Sequence, residues 1–435
     1  MKLRLTEPLR IFIPLAILCL CGNGLFGCGE STPTAKETTP AGGPGSVQHI
    51  SGSSNTIENL GTTTLAPGTI SPPFILSIDP TVSAFLMVAD SGRASDIDIS
   101  LVRDPHGTLL VTQDPSDLDP IGRNTMQSVG GSVASGLFPH TPNYGIQTGN
   151  YEFRASNFDT VPRDVRLTAF INRRTNLQSG TLPVNLHFCG IDDLTAATAL
   201  NHPSLRTLLD EFTRIFQQAN IQIAFEGTYE CAAGERTRLS VIDGLDSDGN
   251  GQLDELDDLF SSNTGVSSPG VSVFFVQQID DGTTGSTTFL AGISGGIPGP
   301  GTLAGTPHSG VAVALVSSQI GTLSQESLLR RGRTMAHEVG HYLGLFHTTE
   351  RCGANASTCL GLAVPFPQLL VDPIPDTPEC SSAADVNNDG AVSADECLAS
   401  GGLNVMFWTQ PVGPQPRDQI TSGQTFVLQR NPVVR

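Results

Sequence analysis

The stretch His337-Glu338-Val339-Gly340-His341-Tyr342-Leu343-Gly344-Leu345-Phe346-His347 decides how the rest of the chain is read. In an α-helix His337 and His341, four residues apart, leave the same face on successive turns. Two such imidazoles can hold one Zn²⁺ at about 2.0–2.1 Å. Glu338, one residue on, reaches a water on that metal without being a ligand. Continued helix would swing position 347 past the metal. Gly344 tolerates left-handed backbone and can end the helix, so the chain can turn and bring His347 back. Three imidazoles and one water make an open, catalytic zinc site. Zinc in such a site polarises a peptide carbonyl and acidifies its water, with Glu338 as general base.

The motif resembles that of the metzincin zinc metalloproteases, and among them the chain looks most like the pappalysins. The likeness extends to Asp372, Asp376, Thr377 and Pro378, to Asn404-Val405-Met406, and to the segment Ile420 to Arg430. It covers residues 181–435. It implies an α+β zincin/metzincin catalytic domain that hydrolyses protein or peptide substrates. It makes Met406 an apolar floor beneath the metal and places Asp372 and Asp376 at a further cation site. One position departs: where the family carries Tyr, this chain has Trp408, whose indole offers a single N–H donor and nothing to bind metal.

Two segments follow the spacing of calcium loops. Asp385, Asn387, Asp389, the backbone of Ala391, and Glu396 occupy positions 1, 3, 5, 7 and 12, with Gly390 at position 6. Asp246, Asp248, Asn250, Gln252 and Asp257 repeat the pattern with a shorter, weaker carboxylate at position 12. Cys380 and Cys397 flank the first loop.

The N-terminus reads as an export signal over residues 1–27: Lys2, Arg4 and Arg10, then an apolar run from Ile11 to Leu20 too short to span a bilayer comfortably. Leu25-Phe26-Gly27-Cys28 resembles a bacterial lipobox, which makes Cys28 the lipidated residue and the bacterial cell envelope the destination; an ordinary cleaved signal is the alternative. With Cys19 and Cys21 removed, six cysteines remain: Cys189, Cys231, Cys352, Cys359, Cys380 and Cys397. An even set in an exported chain suggests three disulfides, and proximity pairs them in that order. The net charge of −19 argues against a nucleic-acid partner, since no basic patch stands out.

Composition divides the rest. Residues 28–72 are rich in Ser, Thr, Gly and Pro and read as a flexible tether. Residues 73–178 show short alternating runs with Asp, Gly, Pro and Asn between them, which predict an all-β sandwich in a binding or spacer role. Beyond 181 the pattern is mixed: strands near 184–189, 221–225, 271–276 and 311–316, and helices over 203–219 and 324–343. Gly292-Ile293-Ser294-Gly295-Gly296 fits G-x-S-x-G, but the Gly/Pro run after it excludes the helix a nucleophile elbow needs. Two functions remain open. One is an anchored zinc endopeptidase. The other is a surface binding or adhesion protein with a vestigial protease domain. Zinc content and chelator-sensitive cleavage separate them.

Overall fold

The structure, a computed structural model, describes residues 47–49, 54–92, 95–112, 131–243, 254–266, 269–280, 289–359, 362–363 and 370–435. Cys28 and the export signal lie outside them, as do Asp246, Asp248, Asn250 and Gln252 of the second calcium-type loop. The described chain is mixed α/β, with several sheets and few helices.

The N-terminal strands are β1 (Val47–His49), β2 (Thr56–Leu65), β3 (Phe74–Ile78), β4 (Ala84–Asp90), β5 (Ile97–Arg103), β6 (Leu109–Thr112), β7 (Val133–Phe138), β8 (Gly149–Asn157) and β9 (Arg163–Asn172). They form two antiparallel sheets, ordered β1-β2-β9-β4-β7 and β3-β8-β5-β6. The tether expectation fails over 56–65. There Thr-rich, β-branched sequence pairs along β9 from Thr56↔Ile171 to Leu65↔Arg163.

The two sheets face each other across Phe85, Phe138, Tyr151 and Phe153. Successive residues of a strand point to opposite faces. In β4, Phe85, Met87 and Ala89 therefore enter that core, while Leu86 and Val88 point the other way. In β7, Val133 and Leu137 do the same, and so does Phe170 of β9. These outward side chains are buried against the C-terminal part of the chain, in one apolar cluster with its helices.

That part begins with β10 (Gly180–Phe188), α1 (Pro203–Gln217) and β11 (Ile221–Glu230), followed by β12 (Val241–Ile242), α2 (Asp254–Ser261), β13 (Val271–Val276) and β14 (Gln278–Ile279). It continues with β15 (Gly292–Ser294), β16 (Val311–Ala314), α3 (Gln325–Tyr342) and α4 (Ser422–Arg430). The main sheet runs β11-β10-β13-β16-β15, parallel except for β15, which is antiparallel to β16 at one edge. Strand β13 is buried on both faces, as parallel strands covered by helices are. Val271, Val273 and Phe275 meet the cluster of α1 and α3, and Phe274 and Val276 meet that of α2. Helices α1 and α3 approach closely at Gly332, where a Cβ would lie 2.6 Å from the Leu208 oxygen, and Arg333 pairs with Glu211 at 2.9 Å beside it. The cysteines pair as Cys189–Cys231, Cys352–Cys359 and Cys380–Cys397.

Candidate metal centre

Helix α3 starts at an N-cap, where the Ser324 hydroxyl accepts from the Ser327 amide, and ends at Tyr342. Its exit is a Schellman turn. The Leu345 amide donates to Gly340 O at 2.9 Å and the Gly344 amide to His341 O at 2.8 Å, with Gly344 at φ +106°. Position 344 thus needs glycine for its backbone angle. The turn brings three imidazoles together. His341 Nε2 and His347 Nε2 lie 3.1 and 3.2 Å from His337 Nε2. Tetrahedral nitrogen ligands about 2.0–2.1 Å from zinc stand roughly 3.3 Å apart, close to this spacing.

The outer nitrogens settle which atoms face inward. His337 Nδ1 is 2.7 Å from Val405 O, and His341 Nδ1 is 2.6 Å from Leu345 O. His347 Nδ1 is 3.1 Å from both oxygens of Glu350. Each of these oxygens only accepts, so each Nδ1 is the donor and carries the ring's proton. The three Nε2 lone pairs then converge with no proton between them, an arrangement that repels itself unless a cation sits among them. Burial holds His337 and His341 well below the ordinary histidine value, aided by the charges of Arg417 and the neighbouring histidines. The donor set therefore fits a divalent metal that takes neutral imidazole nitrogen.

Glu338 is buried beside the cluster, and burial pushes its carboxyl up to about 8 against the opposing charge of Arg417. Gly292 of β15 lies directly over it: a Cβ there would be 2.7 Å from Glu338 Cγ and 2.8 Å from Thr334 Cγ2. Among the described residues β15 has no strand paired on the side away from β16, and Gly292 on that strand borders Glu338.

Met406 is fully buried beneath the helix, where a Cβ on Gly340 would stand 2.6 Å from its Sδ. Its amide donates to Asn404 Oδ1 at 2.8 Å. The Asn404 amide exchanges two hydrogen bonds, both 2.9 Å, with Gln424, a member of the α4 capping box. So α4 fixes the turn whose Val405 oxygen orients His337. Glu350 escapes a reading by motif, and Gln424, though inside the segment Ile420 to Arg430, gives no sign there of its contact with Asn404. The only signal for Glu350 is a carboxylate three residues after the third histidine.

Trp408 takes no part in the cluster. Its Nε1 donates to Val392 O at 2.6 Å, and its ring packs with Phe407, Val392 and the Cys380–Cys397 pair. Asp376 is occupied at the start of α4, accepting from the Thr421 and Ser422 hydroxyls and the Gly423 amide. Asp372 is buried and pushed up to about 7 by that burial, its Oδ1 accepting from Ile374 N and Thr377 Oγ1. Gly292–Ser294, the core of the G-x-S-x-G match, is strand β15.

The loop 385–396 curls on itself. Asp385 accepts from the amides of Asp389 and Gly390, and Asn387 Oδ1 accepts from the Asp389 amide. Asp389 accepts from the Ala391 amide, and Glu396 reaches back to Val386 N and Ser393 N. Gly390 sits at φ +82°, as the sixth position of such a loop requires. Only a 3₁₀ turn, Ser382–Ala384, precedes the loop, and turns follow it, so the helices of an EF-hand are lacking here. Of the second loop, Asp257 is described: it is buried in the first turn of α2.

No family model matches the chain, and no curated protein matches it. A solved structure with which it shares similarity is metalloproteinase-II from Bacteroides fragilis, at 14 % identity and a TM-score of 0.23. The likeness covers 46 % of this chain and 51 % of that one, so the chain spans about half the length of the structure it matches.

Proposed function

We propose that this chain is a zinc metalloendopeptidase that hydrolyses peptide bonds of proteins or peptides outside the cytoplasm. The observation that carries the reading is the convergence of three Nε2 atoms whose Nδ1 partners leave them only lone pairs to offer, with the Glu338 carboxyl buried alongside. His337, His341 and His347 would hold zinc, which supplies Lewis acidity to a peptide carbonyl and to water. Glu338 takes the proton from the attacking water and delivers it to the leaving amine. The edge of β15 away from β16, which no described strand occupies, would pair with an extended peptide and lay its backbone past Glu338.

Metal analysis of the purified protein and digestion of a denatured protein, with and without a zinc chelator, test this. We expect about one zinc per chain and cleavage that the chelator stops. Glu338→Gln should keep the metal and lose cleavage by a factor of about 10²–10⁴. Undiminished cleavage by that variant sinks the assignment. A surface-binding protein with an inactive protease fold is the alternative, favoured by Trp408, whose N–H is spent on Val392 O; zinc without cleavage would select it.

The finer reading is a pappalysin-like member of the metzincins, anchored to the bacterial cell envelope through lipid on Cys28. Mass spectrometry of the mature N-terminus tests the anchor. We further propose that the loop 385–396 holds calcium through Asp385, Asn387, Asp389, the Ala391 carbonyl and Glu396, with a weaker site at Asp246, Asp248, Asn250, Gln252 and Asp257. Ca²⁺ should restore a melting temperature lowered by chelation where Zn²⁺ does not, and Glu396→Gln should blunt the recovery. A melt indifferent to Ca²⁺ removes the proposal.

A further inference from the structure

Arg417 is only 3 % exposed. A guanidinium buried to that degree ordinarily has a carboxylate partner, because an unpaired interior charge gives up its hydration without compensation. Arg417 makes no ion pair among the described residues. Its one hydrogen bond runs from Nη1 to the backbone oxygen of Phe407, and its solvent-shielded Nε has no acceptor. Of the five donors in this fork, one has a protein acceptor among the described residues, and the buried Nε has none.

The surroundings say what that fork faces. The chain leaves Met406, runs through 407–416 and returns at Arg417 to the Phe407 carbonyl. Midway, Gln410 donates to Thr334 Oγ1 at 2.9 Å and to Arg330 O at 3.2 Å. Thr334 and Glu338 are one helical turn apart on the same face of α3. The segment therefore lines the Glu338 side of the helix, and the edge strand β15 meets the same two side chains at Gly292. Val412 and Gly413 are held through their amides by the Asp395 carboxylate. The charge of Arg417 reaches Glu338, His337 and His341. Since Glu338 delivers the proton to the leaving amine, the substrate residue that supplies this amine lies on the Glu338 side, towards Arg417.

We propose that Arg417 is the specificity-determining residue of the peptidase, a buried receptor for a carboxylate on the substrate segment just C-terminal to the cut. The proposal rests on the peptidase reading above. The carboxylate has two possible sources, an Asp or Glu side chain or the free C-terminus of a short leaving peptide. Two peptide libraries, one C-terminally amidated and one with free termini, distinguish them when cleavage sites are sequenced. Enrichment of Asp or Glu immediately after the cut in the amidated library assigns the side chain. Cuts confined to the free-terminus library and clustered near its C-terminal ends assign the terminal carboxylate.

Arg417→Gln should lower the ratio of kcat/KM for acidic over neutral peptides by about ten- to a hundredfold, the worth of a charge-assisted hydrogen bond. Arg417→Lys, which keeps the charge but loses the fork, should fall between. Folding of both is checked by melting and by zinc content. Independently of turnover, calorimetry on zinc-loaded Glu338→Gln protein compares an amidated hexapeptide carrying Glu with the same peptide carrying Gln; at least tenfold tighter binding of the Glu form is expected if the side chain is the source. The free-acid form of the Gln peptide provides the matching comparison for a terminal carboxylate. Cleavage with no carboxylate preference in either library overturns the role of Arg417 and leaves the peptidase intact. Absence of any cleavage overturns the peptidase reading, and equal binding of all three peptides then overturns the receptor as well.

Discussion

At the scale of the residue, His347, the third ligand proposed for the metal, depends on a partner that the histidine spacing does not contain. His337 and His341 are oriented by backbone carbonyls that no side-chain substitution removes, whereas His347 is oriented by the Glu350 carboxylate. Carboxylates behind metal-binding imidazoles fix the tautomer and raise ligand basicity. Glu350→Gln should therefore weaken zinc binding by about ten- to a hundredfold while the fold persists. Competition with a calibrated chelator reads this, and an unchanged zinc affinity would show that His347 is held by the turn alone. His337, His341 and Glu338 were legible from helix geometry, and His347 from the turn that Gly344 permits. Glu350, Arg417 and Gln424 were not, because an orienting or selecting group need only arrive in space, from any point of the chain.

At the scale of the element, the end of α3 sets both the ligand geometry and the contact with the sandwich. Gly344 has φ +106°, and a Cβ there would also meet Leu137 Cδ2 at 3.0 Å. Gly344→Ala combines backbone strain with this crowding and should cost about 1–3 kcal/mol. The same turn carries the Leu345 oxygen that holds His341 and the chain that returns His347, so zinc affinity should fall together with the melting temperature. A variant that melts lower but binds zinc as before would separate the turn from the site. Strands and helices with clear periodicity, such as β13 and α3, could be read in advance. Strand β2 could not, because its Thr-rich sequence carries few bulky residues and shares the composition of a linker. Its pairing with β9 supplies what its own side chains lack.

At the scale of the whole molecule, the sequence Ala84-Phe85-Leu86-Met87-Val88-Ala89 holds a clue that alternation alone misses. A strand with one wet face alternates with polar residues, and this run does not. The structure gives it two dry faces, one inside the sandwich and one against the cluster that includes Met335 and Val339 of α3 and its cap residue Leu343. Leu86, Val88, Val133, Leu137 and Phe170 are all buried there, and burial of such side chains contributes about 1.5–3 kcal/mol each. Their sum is of the order of the stability of an entire domain. Polar ties add register: Asn172 donates to Arg430 O at 3.0 Å, Thr141 to Pro373 O at 2.8 Å and Asn55 to Pro432 O at 2.8 Å. A chain starting at residue 179 would expose the far side of this contact, next to the helix that carries His337 and His341. We expect it to aggregate or to melt without cooperativity, and to bind zinc poorly. Leu137→Asp in the full chain should act in the same direction, by placing an unpaired carboxylate against Gly344. If residues 179–435 instead prove soluble, melt cooperatively and cleave a denatured protein as the full chain does, the sandwich is dispensable for the fold of the metal centre, and its role lies elsewhere.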